Sequence, residues 1–182
     1  MSLVIQEHKS ASYAPRTYFN ATSADLTVAF ALDFSTAGEK LTKKAAVDKF
    51  VSISLIEDYL GAARALYKHC RKHNVKTLNI AGNGIYTLEK KGMSQEDLNV
   101  YLYSVISLVN EHHPLEHIIS GGQTGVDLAG GVVGYVLGIP VTMTLPKGYK
   151  QRHSNGVDLD YSKEEIENQV NYYAQKLVEA IN

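Results

Sequence analysis

The segment with the clearest chemical signal is His117–Gly131, which reads HIISGGQTGVDLAGG. A short apolar strand pattern runs directly into glycines and polar residues, and a helical pattern follows. Glycine lets the backbone turn sharply and approach a ligand closely. The first N–H groups of a helix point outward without an internal partner and, with the helix dipole, favour an anion. We therefore expect a phosphate group to bind at Gly121, Gly122, Gln123, Thr124 and Gly125.

An alternative remains open, in which these glycines serve only a tight strand-to-helix turn. The segment has neither the GxGxxG pattern of dinucleotide sites nor the lysine of a P-loop, so neither NAD binding nor ATP hydrolysis follows from it. Asp127 lies in the first turn of the predicted helix, where a carboxylate would repel a phosphate. Three roles are open to Asp127: capping nearby N–H groups, accepting hydrogen bonds from a ribose, or helping to hold a metal ion.

The loops after the other strands should face the same cleft, because ligands of parallel sheets bind at the carboxyl ends of the strands. One of them is a second glycine-bracketed turn, made of Gly82, Asn83 and Gly84. Another is the polar loop 33–40, which contains the carboxylates Asp33 and Glu39.

A third loop, Pro146–Arg152, contributes Lys147, Gly148 and two further cations. The cations could neutralise a phosphate, and Tyr149 could stack on a base. A basic surface loop without a ligand is the alternative.

Apolar runs and helical periodicity alternate along the chain, which predicts βαβ units. The predicted strands are Leu26–Phe34, Phe50–Leu55, Thr77–Ala81, His117–Ser120 and Val141–Leu145, with Phe50–Leu55 as an edge strand. The predicted helices are Ile56–His73, Ser94–His113, Thr124–Leu137 and Ser162–Ile181. We expect an α/β fold, a Rossmann-like three-layer sandwich with a mainly parallel sheet and helices on both faces.

The domain organisation follows from the same pattern. Residues 23–182 read as one nucleotide-binding domain. Residues 1–22 read as an N-terminal arm or edge segment, either a disordered arm, an edge strand, or a segment packed on a neighbouring subunit.

Composition excludes several classes. The net charge of −1 and the absence of a basic stripe argue against nucleic-acid binding. No stretch reaches the roughly 18 apolar residues of a membrane span, and Met1–Thr17 lacks the apolar run of a signal peptide. The single cysteine, Cys70, suits a reducing cytoplasm and reads as a buried, inert thiol. The seven histidines do not form a recognisable metal site, so no metal is expected.

The chain contains 12 tyrosines, some of which stand in pairs such as Tyr101/Tyr103 and Tyr172/Tyr173. Paired tyrosines on helix faces suit a homo-oligomeric interface, and they also occur in the cores of monomers.

The sequences IISGGQTGVDLAG and GIPVTMTLPKG together resemble the SLOG superfamily of Rossmann-like domains, most closely its YpsA-like branch. Members of that branch are often labelled molybdenum carriers. The resemblance covers residues 116–150, and more loosely 76–182 when the NIAGNG turn is included. It implies a nucleotide or nucleotide-derived ligand at the GGQTGVD residues, and the PKG match adds Lys147 and Gly148. The motif normally follows the first strand of its domain, so the strand order here is expected to be permuted or extended.

Two classes of function follow. The first is a carrier or sensor that binds a nucleotide-like phosphorylated small molecule, with a molybdenum-cofactor carrier, and hence a molybdopterin-type ligand, as a variant. The second is a hydrolase that cleaves an N-glycosidic or phosphoester bond of a nucleotide, with Asp127, Asp33 and Glu39 as candidate catalytic carboxylates. The PGGxGTxxE motif of the related LOG phosphoribohydrolases is absent. A DNA-associated role like that of DprA is disfavoured by the charge.

Overall fold

A parallel sheet of six strands organises residues 2–182, the part of the chain that the computed structural model describes. Its strand order is β1-β6-β5-β4-β2-β3, and every neighbouring pair is parallel. The strands are β1 (Leu3–Glu7), β2 (Leu26–Ala31), β3 (Phe50–Ser54), β4 (Thr77–Gly82), β5 (His117–Ser120) and β6 (Val141–Leu145). Two short strands, β7 (Gln151–Arg152) and β8 (Asp158–Leu159), form a separate antiparallel hairpin.

Helices cover both faces of this sheet. They are α1 (Tyr13–Thr22), α2 (Ala37–Ala46), α3 (Tyr59–Lys72), α4 (Ile85–Glu89), α5 (Gln95–His112), α6 (Val126–Val136) and α7 (Lys163–Ile181). α1 and α2 contact each other on one face, whereas α3, α5, α6 and α7 form a contiguous layer on the other. The predicted three-layer α/β sandwich is confirmed.

The five predicted strands are present, and the pattern of apolar residues in each agrees with the residues that the sheet buries. All six residues of β2 are buried, as expected for an internal strand of a parallel sheet. β3 lies at the sheet edge and alternates between buried and more exposed residues, as its sequence predicted. The strand predicted for Leu26–Phe34 ends at Ala31, because the backbone N–H groups of Leu32 and Asp33 bind the side chain of Asn83 instead.

Three helices had no predicted counterpart, namely α1, α2 and the short α4. Of these, α1 and α2 bury polar side chains. The buried face of α1 includes Arg16 and Asn20, and that of α2 includes Glu39 and Thr42. Apolar periodicity is the main signal by which a sequence reveals a helix, and a buried polar face does not produce it. Residues 3–22, predicted as an arm or edge segment, form the edge strand β1 and helix α1.

None of the helices formed by residues 2–182 combines the length and the hydrophobicity of a membrane span. Cys70 lies fully buried in α3, and this burial raises the pKa of its thiol to about 12. A thiol in that setting is inert.

Candidate ligand-binding site

A cavity of about 530 Å³ lies between α1 and α2, at the carboxyl ends of β4 and β5. Helices α1 and α2, which the sequence did not predict, therefore form much of its wall, and the two glycine turns complete it. Its lining residues are Tyr13, Arg16, Thr17, Asn20, Thr36, Ala37, Gly38, Glu39, Leu41, Thr42, Asn79, Ala81, Gly82, Asn83, Gly84, Tyr86, Thr87, Gly121, Gln123, Thr124, Asp127 and Arg152. Of the predicted glycine-turn residues, Gly122 and Gly125 lie behind this lining.

The turn after β5 has unpaired backbone donors. Gly122 and Gly125 adopt the left-handed region, with φ of 67° and 92°. The backbone N–H groups of Gly121, Gly122, Gln123 and Thr124 find no acceptor among residues 2–182. Consecutive free N–H groups ahead of a helix N-terminus form a concave site that favours an anion.

The two glycine turns are packed directly against each other. The N–H of Val126 donates to the carbonyl of Asn83 at 3.1 Å, and that of Ile85 donates to the carbonyl of Thr124 at 3.3 Å. A Cβ at Gly125 would lie 2.4 Å from the Asn83 carbonyl oxygen, so only glycine permits this approach. Asn83 also ties the turn to the loop after β2, because its Oδ1 accepts hydrogen bonds from the two backbone N–H groups that follow that strand.

Asp127 has a role that sequence reasoning did not include. Its Oδ2 lies 2.9 Å from Nη1 of Arg16, and both side chains are buried, with 7% and 8% exposed respectively. Burial raises the pKa of Asp127, whereas the Arg16 guanidinium lowers it. The ion pair neutralises the carboxylate, which removes the expected repulsion of a phosphate. The sequence analysis did not identify Arg16. Its role depends on Asp127, a buried carboxylate that requires a cation and lies far away in the sequence.

Gly121 makes room for this ion pair. A Cβ at that position would lie 1.7 Å from Nη1 of Arg16 and 2.1 Å from Oδ2 of Asp127. The first glycine of the turn is therefore required by the packing of two charged side chains, in addition to any approach by a ligand.

The side chains of Gln123 and Thr124 hold the β7–β8 hairpin. Gln123 donates to the carbonyl of Lys150 and accepts from the N–H of Arg152, and the Thr124 hydroxyl donates to the carbonyl of Arg152. Gln151 in turn donates to the carbonyl of Gly122 at 2.7 Å. The Thr124 hydroxyl is therefore used within the fold, and the backbone N–H of Thr124 remains free.

The basic loop reaches the cavity through Arg152 alone. Lys147 is exposed and Gly148 donates its N–H to Glu7, so the structure does not bring the PKG residues to the cavity. Tyr149 packs against the core rather than lining the site. Arg152 is paired with Asp158 at 2.8 Å.

One aromatic ring that borders the cavity beside Arg152 is that of Tyr13, whose centroid lies 5.5 Å from the guanidinium carbon. Burial and the neighbouring Asp158 raise the pKa of Tyr13 to about 12. Tyr13 and Tyr86 therefore take the place at the cavity that the sequence suggested for Tyr149.

The candidate carboxylates separate into two groups. Glu39 borders the cavity and is 4% exposed; its Oε1 accepts from Nδ2 of Asn83 at 3.3 Å, and its Oε2 is buried without a partner. Burial, followed by the nearby Asp127, raises the pKa of Glu39 to about 8. Asp33 lies outside the lining, where hydrogen bonds from Ser35 lower its pKa. The structure thus brings Glu39 and Asp127 together and leaves Asp33 apart.

Residues 2–182 contain no group of three or more histidine, cysteine or acidic side chains placed to hold a metal ion. The polar groups at the cavity are amides, hydroxyls, the Arg16–Asp127 ion pair, the Arg152 guanidinium and one partly unpaired carboxyl. This set suits an organic ligand with an anionic group.

Comparison with known proteins identifies the family. The chain belongs to the circularly permutated YpsA SLOG family, whose model matches residues 2–93, just over half of the chain. Searches of curated proteins and of solved structures gave no match. Family membership indicates a nucleotide-related ligand. The matched residues supply α1, α2 and the Gly82–Gly84 turn, whereas the glycine turn after β5, which also lines the cavity, lies outside the match. The expected permuted order is confirmed.

Proposed function

We propose, starting from this family membership, that the cavity binds a nucleotide or a nucleotide-derived phosphorylated small molecule, which the protein carries or senses. The observation that carries the proposal is the run of four unpaired backbone N–H groups from Gly121 to Thr124. Three of these four residues border the cavity, and its volume of about 530 Å³ falls in the usual range for small-molecule sites.

The charges around the turn support an anion there. Asp127 is neutralised by Arg16, so the N-terminus of α6 keeps its favourable potential for a negative group. Arg16 uses Nη1 for this ion pair, and its Nε is buried without a protein partner. Arg152 adds a second cation at the cavity, partly offset by Asp158. A phosphate would thus meet backbone donors and two guanidinium groups.

The direct test is a titration of the ¹⁵N-labelled protein with inorganic phosphate, adenosine monophosphate, ADP-ribose and a molybdopterin-type compound. We expect the amide signals of Gly121, Gly122, Gln123 and Thr124 to shift together, because a bound anion takes their hydrogen bonds. The amide of Gly138, a positive-φ glycine at the other end of α6, is the internal control. Unchanged turn amides with every anion would exclude the proposal.

Amide signals are preferable to a substitution at Gly122. A Cβ there would lie 2.5 Å from the Leu145 side chain, and φ is 67°. A side chain at this position would therefore strain the packing, and any loss of ligand binding could not be separated from that strain.

A second candidate function is favoured by Glu39. A carboxyl whose pKa lies near 8 exchanges its proton close to neutral pH, as general acid–base catalysis requires. In this hypothesis, water attacks the anomeric carbon of a bound nucleotide, the N-glycosidic bond breaks, and Glu39 exchanges a proton with the attacking water or the leaving base.

Product analysis separates the hydrolase from the carrier or sensor. Nucleoside monophosphates are incubated with the protein, and the released base is measured by chromatography. The hydrolase hypothesis predicts release that Glu39→Gln abolishes while binding persists. Asp33→Asn, outside the cavity, should leave release unchanged. Binding without release by the wild-type protein would leave the carrier or sensor function.

A further inference from the structure

Besides Tyr13, whose hydroxyl is buried without a partner, three side chains that border the cavity carry a buried amide or carboxyl oxygen without a protein partner. These oxygens are Oδ1 of Asn20, Oδ1 of Asn79 and Oε2 of Glu39. The three residues are only 2–4% exposed. Most buried polar atoms in folded proteins have a hydrogen-bond partner, and each exception calls for an explanation. Four such oxygens around one cavity, the Tyr13 hydroxyl included, point to partners that a ligand supplies.

The amide groups of both asparagines are held by their nitrogen ends. Nδ2 of Asn20 donates to the backbone carbonyls of Ser120 and Thr144, at 3.2 and 3.5 Å. Carbonyl oxygens only accept, so this amide cannot flip without losing both bonds. Nδ2 of Asn79 donates to the Thr27 hydroxyl at 3.1 Å. The structure leaves the oxygen unpaired in both side chains. The two carbonyls fix this orientation for Asn20, whereas the Thr27 hydroxyl can pair with either end of the Asn79 amide.

The polar groups around the cavity are thus divided by type. The turn from Gly121 to Thr124 offers N–H donors, whereas Asn20 and Asn79 offer acceptors. A phosphate matches donors and is repelled by acceptors. Hydroxyl and amino groups match acceptors, because each can donate a hydrogen bond.

We propose that Asn20 and Asn79 determine specificity by accepting hydrogen bonds from an uncharged donor group of the ligand, either sugar hydroxyls or the amino group of a base. The inference rests on the proposed function, since it assigns the remainder of a ligand whose phosphate occupies the glycine turn. It limits the ligand to molecules that carry an anion at one end and hydrogen-bond donors at the other.

The test compares the dissociation constants of four nucleotides by calorimetry. Adenosine monophosphate carries the base amine and both hydroxyls, inosine monophosphate lacks the amine, and the 2′-deoxy and 3′-deoxy forms of adenosine monophosphate each lack one hydroxyl. A nucleotide that lacks the donor group bound by the asparagines should have a dissociation constant about five- to ten-fold higher, the effect of one neutral hydrogen bond. The probe that loses affinity distinguishes sugar from base. Four affinities within two-fold of one another would overturn the inference.

Variants assign the effect to a residue. Asn79→Leu should abolish the discrimination, and Asn79→Asp, which retains an acceptor, should keep it. Asn110→Leu is the matched control, because Asn110 lies near the carboxyl end of α5 and caps Leu115 outside the cavity. If Asn79→Leu fails to fold, the comparison of the four nucleotides on the wild-type protein still tests the inference.

The two proposals fail in different ways. If phosphate shifts the turn amides but the four nucleotides bind equally, the specificity inference fails and the proposed function stands. If no anion shifts those amides and no nucleotide binds, both fail.

Discussion

Arg16 of α1 and Asp127 of α6 form a buried ion pair, 2.9 Å between Nη1 and Oδ2, across 111 residues of sequence. The pair joins the N-terminal helix to the turn that we propose binds phosphate. It also explains how the Asp127 carboxylate can lie in the first turn of α6, next to the proposed phosphate site, because the Arg16 guanidinium offsets the negative charge.

Replacing Arg16 should destabilise the fold strongly. Arg16→Met leaves Asp127 buried without its cation, which costs about 3–5 kcal/mol for pairs of this kind. Urea unfolding measures the change. Adding Asp127→Leu should recover part of the loss, because no unpaired charge remains.

The control for this prediction is Lys76→Met, which breaks the exposed ion pair with Glu116. Exposed ion pairs contribute little to stability, so the free energy of unfolding of this variant should stay close to that of the wild-type protein. A loss in Arg16→Met no larger than in the control would contradict the structural role of the buried pair.

A methyl group at Gly121 should disrupt the same pair. Gly121→Ala places a Cβ within 1.7 Å of the guanidinium, so the helix or the ion pair must shift and the melting temperature should fall. Gly38→Ala is the matched control, because a Cβ there meets nothing within 4 Å and alanine suits a helix better by about 0.5–1 kcal/mol. Equal melting temperatures for the two variants would argue against the close packing described.

Stability should depend on pH through Glu39. Its pKa is raised from 4.5 to about 8 by folding, so between these pH values the folded protein holds a proton that the unfolded chain has lost. The free energy of unfolding should therefore fall as pH rises through this window, by at most about 1.4 kcal/mol per pH unit. Urea unfolding across the window measures the slope.

Glu39→Gln should flatten that slope, since its side chain does not titrate. Asp33→Asn is the control, because hydrogen bonds from Ser35 lower the Asp33 pKa and place its effect below the window. The same slope in the wild-type and Glu39→Gln proteins would show that Glu39 is not the titrating group.

The β7–β8 hairpin should loosen when Gln123 is removed. Gln123→Ala deletes the bonds to Lys150 and Arg152, and hydrogen exchange at the Arg152 amide should accelerate about ten-fold for the loss of roughly one hydrogen bond. Exchange in β4 and β5 should not change. Gln175→Ala, on the exposed face of α7, should affect neither region. Unchanged exchange at Arg152 would mean that other contacts hold the hairpin.

Local patterns were sufficient for the apolar framework of this protein. The bounds of β5 and β6 were predicted to the residue, and the serine-initiated helices begin at capping boxes formed by Ser94 and Ser162. These elements follow from β-branched runs, helical periodicity and caps, all of which act over a few residues. The same holds for the glycine turn after β5, whose residue types predict a sharp bend before a helix.

The composition of the cavity was decided by the tertiary structure. Helices α1 and α2 turn polar side chains inward because they face a cavity, and this removes the apolar periodicity that would have revealed them. The pairing of Arg16 with Asp127, and the diversion of Gln123 and Thr124 to the hairpin, join residues far apart in sequence. Such partners are selected by packing and by the cost of leaving a buried charge or donor unpaired, and no local pattern records that selection.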